Sequence, residues 1–316
     1  MTQVSLHVSH LSDDELITAF LQDCALRRLS PNTIEGYKSS LFIVADLLLQ
    51  REMSIRTLTR DELRAVLGHL VKRGYVYNTL LQYFAALSGF CDYLVWEELA
   101  TNNPVVPFRK RYVRQYKLSS HPERQLISVE AMRRLIASIM NPRDKAIITL
   151  LAKTGIRRGE LIDIDLDDID WIDQSIHLKP HPKRSNCYVF FDDECARVLR
   201  RWIKTRDSYH IQLGCEALFV NERGGRLQRH GVSHAVTKHA TRIGLHDSTS
   251  SRLEERFTPH YCRHWFTTHL RRNGMQRELI KELRGDARRD AIDIYDHIDK
   301  RELKRAYLAA IPQLGI

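Results

Sequence analysis

The sequence predicts a mostly α-helical protein of two domains, with a small antiparallel β-sheet in the C-terminal one. Three observations lead there. Four amphipathic stripes, each with its own start signal, fill about 90 N-terminal residues; a proline-containing basic stretch follows; beyond it, helical periodicity is interrupted by short alternating segments. A chain of 316 residues has the length of about two ordinary domains, and 43% hydrophobic residues suffice for sizeable cores.

The N-terminal domain is predicted over residues 1–104. Ser12 with Glu15 and Thr59 with Glu62 are capping boxes, and Ser30 followed by Pro31 is an N-cap and first-turn proline. The first helix carries Leu16, Ile17, Phe20 and Leu21 on one face, and the second carries Ile34, Tyr37, Leu41, Val44 and Leu48. Such stripes bury against partner helices. A third helix is expected from about Arg60 to Arg73, and a fourth from Tyr77 past Trp96 to the stop signal Asn102-Asn103-Pro104. Next comes a basic linker, 105–125, with little apolar periodicity. Its Arg109, Lys110, Arg111 and Arg114 either lie along a phosphate backbone or are simply solvated.

The second domain is predicted over 126–316. Helical segments at about 128–139 and 143–163 lead into LDDIDWIDQSIHLK and NCYVFF, which read as short antiparallel strands joined by turns. Helices resume at about 193–206, 229–243, 258–272, 276–284 and 299–309. The last aligns Leu303, Ala306, Tyr307 and Ala310 on one face, which fits packing on its own domain or docking on a neighbouring molecule.

Composition narrows the function. The longest apolar run, Leu41 to Leu49, is broken by Asp46 and falls far short of the roughly 18 residues a membrane span needs. The start, MTQVSLHVSHLSDDEL, lacks a basic region followed by an apolar one, so no export signal or membrane association is expected and the location read is cytoplasmic. Six cysteines with no CxxC pair read as reduced, packed thiols. Lys plus Arg at 49 against Asp plus Glu at 39 leaves a net charge of +10, which favours a polyanionic partner such as nucleic acid. The chain has no GxxxxGK[ST] loop, no GxGxxG after a strand and no HExxH, so ATP, nicotinamide and zinc-protease chemistry lose support. His230 with His234, and His260 with His264, are spaced for two ligands on a helix face, but neither has a third donor at matching spacing; no metal site is expected.

A sharper constellation lies in TGIRRGEL (154–161), HYCRH (260–264) and RGDARRDAIDIY (284–295). Thr154-Gly155 is a turn before a helix start that projects Arg157 from a fixed backbone position. Pro259 at a first helical position puts His260 and Arg263 one turn apart on one face. In order and spacing these segments resemble the tyrosine recombinases, or phage integrases, including the Xer-type resolvases. That family has a TGxRxxEL box, a HxxR box, an LGH-like box and a tyrosine nine residues past its histidine. Arg157 and Glu160 match the first box, His260 and Arg263 the second, Gly285 the glycine of the third, and Tyr295 stands nine residues after position 286. RLSPNTIEGYKSSL and YNTLLQYFAALSGFCDYL, ending in NNP, resemble the family's core-binding domain, so the likeness spans nearly the whole chain.

The resemblance implies a two-domain tyrosine-recombinase architecture and a site-specific recombinase or integrase that cuts and rejoins double-stranded DNA through a covalent 3′-phosphotyrosyl intermediate. It also implies no cofactor, a homotetramer on two DNA sites, association with the nucleoid or a mobile element, and domains that clamp the duplex. In the roles implied, Arg157 and Arg263 bind the scissile phosphate, Tyr295 attacks, His260 assists proton transfer, and a β-turn lysine protonates the departing 5′-hydroxyl. The turn residues of PHPKRSN favour Lys183 for that lysine over Lys179. Position 286 departs from the pattern. Where the family usually has histidine, Asp286 can only accept hydrogen bonds when ionised and would repel a phosphate. This RGD form resembles archaeal members. Asp286 is expected to orient a basic neighbour, with Arg284 or Arg288 supplying the lost donor. A type IB topoisomerase and a non-catalytic DNA-binding regulator on the same fold are the alternatives.

Overall fold

The structure, a computed structural model, describes residues 11–119, 126–180, 184–250, 252, 255–286 and 298–316. The chain divides into two compact units, Met1–His121 and Pro122–Ile316.

In the first unit, helices α1 (Asp13–Leu26), α2 (Pro31–Leu49) and α3 (Arg60–Lys72) begin where their caps predict, and α4 (Tyr77–Trp96) begins at the expected Tyr77 without a side-chain cap. Ser12 and Glu15 exchange capping hydrogen bonds, Thr59 and Glu62 do the same, and Ser30 caps the helix that Pro31 opens. Leu16, Ile17, Phe20, Leu41, Val44 and Leu48 are buried, joined by Leu63, Leu67, Leu80, Phe84 and Phe90 from the other helices. Phe20 makes an edge contact with Phe90 at 5.7 Å. Burial of this stripe, rather than helix propensity, holds the unit together.

Most of the stretch read as a linker, residues 105–119 of 105–125, is structured instead. It forms α5 (Val105–Arg111) and a 3₁₀ helix, Val113–Ser119. Val105, Phe108 and Val113 join the helical core, with Phe108 stacked on Phe84 at 5.5 Å. Pro104 and Pro107 obscured this in the sequence, yet proline is tolerated around a helix start, where backbone N–H groups lack an intrahelical partner. Lys110, Arg111 and Arg114 are exposed and Arg109 is half-buried, so the basic residues take the outer side of an anchored element.

The second unit opens with α6 (Val129–Ala137), α7 (Pro142–Thr154) and α8 (Arg158–Ile162). The single helical run expected at 143–163 is broken at Gly155, whose φ of +62° ends α7 in a left-handed cap. A three-stranded antiparallel sheet follows: β1 (Ile169–Asp170), β2 (Ser175–His177) and β3 (Tyr188–Phe190), with Ile176 opposite Ile169 on one side and Val189 on the other. Then come α9 (Asp193–Arg206), α10 (Arg229–Arg242), α11 (Pro259–Arg272), α12 (Arg277–Arg284) and α13 (Lys300–Ala310). Helix α7 is the axis, because Ile147, Ile148, Leu150, Leu151 and Ala152 are all fully buried and α9 and α11 pack against it.

Helix α13 packs on its own unit. Leu303, Tyr307 and Ala310 are buried with Phe266, Leu270 and Leu283, and the Tyr307 hydroxyl donates to the Lys153 carbonyl at 2.9 Å. The chain then runs over a buried charge cluster. Lys153 Nζ lies 2.5 Å from Asp192 Oδ2, 2.6 Å from Glu194 Oε2 and 2.8 Å from the Pro312 carbonyl. Glu194 also accepts the backbone N–H groups of Leu314 and Gly315. Burial alone would raise the Glu194 pKa, but Lys153 and these N–H groups outweigh it and hold the carboxyl below its ordinary value.

Replacing Lys153 with alanine leaves two buried carboxylates without their cation and is expected to cost about 3–5 kcal/mol, read from urea denaturation of the full chain. A depressed folded-state pKa gives a contribution that is present above the unfolded value of about 4.3 and lost as pH falls through the folded value. Denaturation midpoints of the parent should therefore be insensitive to Glu194 near pH 6 and decline in acid below about pH 4.

Candidate active site

Four arginines and two carboxylates from distant parts of the second unit converge at the ends of α7, α8 and α12. Arg157 is the N-cap of α8. Its backbone N–H donates to Glu160 Oε2 at 2.7 Å and its Nη1 to Glu160 Oε1 at 2.8 Å, two bonds to one carboxylate that hold the guanidinium at the helix start. Its Nη2 lies 3.4 Å from Asp286 Oδ1.

Arg263, on α11, approaches the same oxygen from another side. Its Nη2 donates to Asp286 Oδ1 at 3.1 Å and to the Arg284 carbonyl at 2.9 Å, and its Nη1 donates to the Gly155 carbonyl at 2.6 Å. The side chain is 5% exposed. Burial first, then repulsion from Arg157 and Arg284, lowers its pKa to about 10, which leaves it charged at neutral pH. Arg284 closes the cluster through Nε, 3.1 Å from Asp286 Oδ2.

Glu160 and Arg184 form the floor. Arg184, whose side chain is fully buried, donates Nη1 to Glu160 Oε2 at 3.1 Å and Nη2 to the Leu283 carbonyl at 3.0 Å. Burial opposes the charge of Glu160, but Arg184 and the hydrogen bonds from Arg157 outweigh it and keep the pKa below the ordinary value. Burial likewise lowers the pKa of Arg184. The sequence reading missed Arg184, since a cation in the turn PHPKRSN reads as solvated. Two glycines make the close packing possible. A Cβ on Gly155 would fall 2.3 Å from Phe266 Cδ1, and one on Gly285, where φ is +60°, would fall 2.5 Å from Arg184 Cγ.

Of the residues singled out in the sequence, Arg157, Arg263 and Asp286 are brought together. His260 is exposed on the first turn of α11, one turn before Arg263, with its ring 4.5 Å from that of His264. Lys179 pairs with Asp165. Lys183, Arg288 and Tyr295 lie outside the described residues. Asp286 contacts three basic neighbours, Arg157, Arg263 and Arg284.

Gly155→Ala forces alanine into a left-handed conformation and into Phe266. It is expected to cost about 2–4 kcal/mol by urea denaturation, and Phe266→Leu in the same chain should recover only the steric part.

The phage integrase family profile matches residues 125–302, more than half of the chain, and that of the phage integrase N-terminal SAM-like domain matches 17–98. Tyrosine recombinase XerC of Alcanivorax borkumensis is 28% identical over 305 residues, covering 95% of this chain and 94% of its own. Tyrosine recombinase XerD of Staphylococcus epidermidis is 25% identical over 295 residues, covering 90% and 94%. Among solved structures, the Tn1549 transposon integrase in complex with transposon right end DNA is similar with a TM-score of 0.69 at 16% identity, covering 90% of this chain and 98% of that one. The XerH recombinase bound to palindromic difH substrate gives 0.65 at 20% identity, covering 89% and 80%; both likenesses concern the fold. These relatives carry the names of recombinases and integrases, so the relaxation and regulator alternatives are not favoured. The chain belongs to the phage integrase family, the tyrosine recombinases.

Proposed function

We propose that this tyrosine recombinase performs site-specific recombination by clamping the scissile phosphate of duplex DNA between Arg157 and Arg263 and attacking it with Tyr295. The observation that carries this reading is the convergence of the two guanidinium groups on one acceptor oxygen, at 3.4 and 3.1 Å. Guanidinium forks suit the non-bridging oxygens of a phosphodiester and stabilise the charge that builds in the five-coordinate transition state. An unperturbed tyrosine, with pKa about 10, is a poor nucleophile at pH 7, so both electrophilic activation and proton removal are needed.

In the proposed step the bond from the Tyr295 oxygen to phosphorus forms as the bond to the 5′ oxygen breaks. His260 assists removal of the phenolic proton, and Lys183 gives a proton to the departing 5′ oxygen. Religation is the reverse. The phosphotyrosyl link conserves the bond energy, so rejoining needs no ATP.

Lys183 is preferred over Lys179 because the three residues that follow it are fastened to the arginine site. Arg184 is buried against Glu160, Ser185 Oγ donates to the Asp286 carbonyl at 2.9 Å, and Asn186 Nδ2 donates to the Glu282 carbonyl at 3.1 Å. Lys179 is committed to Asp165, which Arg226 also holds.

Double-stranded DNA is the proposed partner, with the exposed Lys110, Arg111 and Arg114, and Arg109 beside them, contacting its backbone. Exchange between two duplexes needs four cleavages while each chain has one Tyr295, which supports a homotetramer on two sites. Acting on chromosomal or mobile-element DNA would place it at the nucleoid. No helix among the described residues is long and apolar enough to cross a membrane.

Covalent trapping on DNA with candidate attachment sites tests the chemistry. Tyr295→Phe should abolish the adduct with DNA affinity nearly unchanged. Arg157→Lys and Arg263→Lys should each slow cleavage about 100-fold or more while affecting binding far less. Lys183→Ala should slow cleavage where Lys179→Ala does not, and a 5′-bridging sulfur leaving group should restore the former. An adduct mapped to Tyr261 or Tyr307 would end the assignment of the nucleophile. Neutralising Arg109, Lys110 and Arg111 together should flatten the plot of log affinity against log salt by about three units, and an unchanged slope would mean that these side chains are only solvated.

A further inference from the structure

Asp286 is an anion at the point where the proposed reading places another anion, the scissile phosphate. Three guanidinium groups meet it: Arg157 and Arg263 share Oδ1 at 3.4 and 3.1 Å, and Arg284 lies 3.1 Å from Oδ2. The carboxylate is 32% exposed, so it closes the cluster toward solvent and is not part of its floor. The floor has its own anion. Glu160 is 4% exposed and both its oxygens are taken, one by the Arg157 guanidinium and the other by Arg184 and the Arg157 backbone N–H. Among the described residues, Asp286 is the carboxylate that pairs with Arg263 and Arg284.

We infer that Asp286 is a resident counter-anion: its carboxylate occupies the phosphate seat in the DNA-free protein and gives way to the phosphodiester when DNA docks. The inference rests on the assignment of Arg157 and Arg263 to the phosphate. A carboxylate presents two oxygens and one negative charge, as do the non-bridging oxygens of a phosphodiester; here it accepts from Arg157 and Arg263, while Arg284 Nε meets it as an ion pair. The backbone beneath it is fixed. Gly285 caps α12, the Ser185 backbone N–H donates to the Gly285 carbonyl at 3.3 Å, and Ser185 Oγ donates to the Asp286 carbonyl. Exchange therefore requires rotation of the side chain about its own bonds, with no rearrangement of the turn that carries it.

The arrangement confers selectivity. A tethered carboxylate competes at high effective concentration with any free oxyanion, and a small anion brings no other contact to offset its displacement. Duplex DNA brings phosphate contacts along its length and can displace the carboxylate with that binding energy. The arginines are thus held close together before substrate arrives, yet closed to inorganic phosphate.

Thermal unfolding of the full chain across an inorganic phosphate titration, at constant ionic strength set with chloride, tests this. Asp286→Asn keeps the shape and removes the charge. It should melt below the parent without phosphate, recover saturably as phosphate is added, and show an apparent phosphate affinity tighter than the parent by about tenfold or more. Adding Arg157→Gln should return the response to the parental level. Should Asp286→Asn fold only with phosphate present, Asp286→Ser, measured the same way, must show the same phosphate-dependent gain. Equal phosphate responses in parent and variants, or a gain that survives Arg157→Gln, would overturn the inference. Covalent adduct formation by the parent is scored separately. Its absence alongside the predicted phosphate response would defeat the strand-cleavage reading and leave the resident anion standing.

Discussion

Everything at the site depends on holding like charges together. Arg157, Arg184, Arg263 and Arg284 crowd around two carboxylates, and two of these cations are almost fully buried. Unpaired guanidinium groups at such separations repel, and burial amplifies the repulsion. Glu160 and Asp286 offset it by different means. Glu160 is sealed inside and joins Arg157 on α8 to Arg184 beside the sheet. Asp286 lies at the rim and joins Arg157, Arg263 and Arg284. Neutral backbone carbonyls complete the coordination, those of Gly155 and Arg284 for Arg263 and that of Leu283 for Arg184. Arg184 and Arg263 are thus fixed by main chain as well as by side chains.

That dependence on main chain explains the shape of the second unit. Carbonyls of α7 and α12 can face inward only where those helices stop, and both stop at glycines with positive φ. Each glycine is also a contact: Phe266 packs where a Cβ would sit on Gly155, and Arg184 where one would sit on Gly285. Phe266 belongs to the same buried cluster as Tyr307, and the Tyr307 hydroxyl holds the carbonyl of Lys153 at the end of α7. The C-terminal helix thus reaches the arginine site through a continuous packed path, although none of its side chains touches the arginines among the described contacts.

Much of this was legible in the sequence. Caps located the starts of α1 to α3, and apolar stripes the buried faces of α1 and α2, because N-terminal hydrogen bonds and helical periodicity are local in sequence. The strands at Ile169–Asp170, Ser175–His177 and Tyr188–Phe190 were marked by alternation between turn residues. Arg157, Arg263 and Asp286 emerged from order and spacing, since no local pattern tells a converging arginine from a solvated one. What escaped detection is non-local. Val105, Phe108 and Val113 are too few to form a visible period, and only their burial against α4 shows that the basic stretch begins as structure. Arg184 looks like surface until the carbonyl at Leu283 and the carboxylate at Glu160 are seen to meet it.

The placement of Arg184 and Ser185 also clarifies how one hairpin can serve both the fold and the chemistry. A loop between short strands has few backbone hydrogen bonds of its own, and a lysine on such a loop would sample many positions. Here Arg184, Ser185 and Asn186 bind the two residues after α12 and the carbonyls at its end. Those groups lie beside Asp286, so the loop and the anion share one support. The same two residues after α12 thus anchor the described end of the loop and carry the carboxylate that meets Arg157, Arg263 and Arg284.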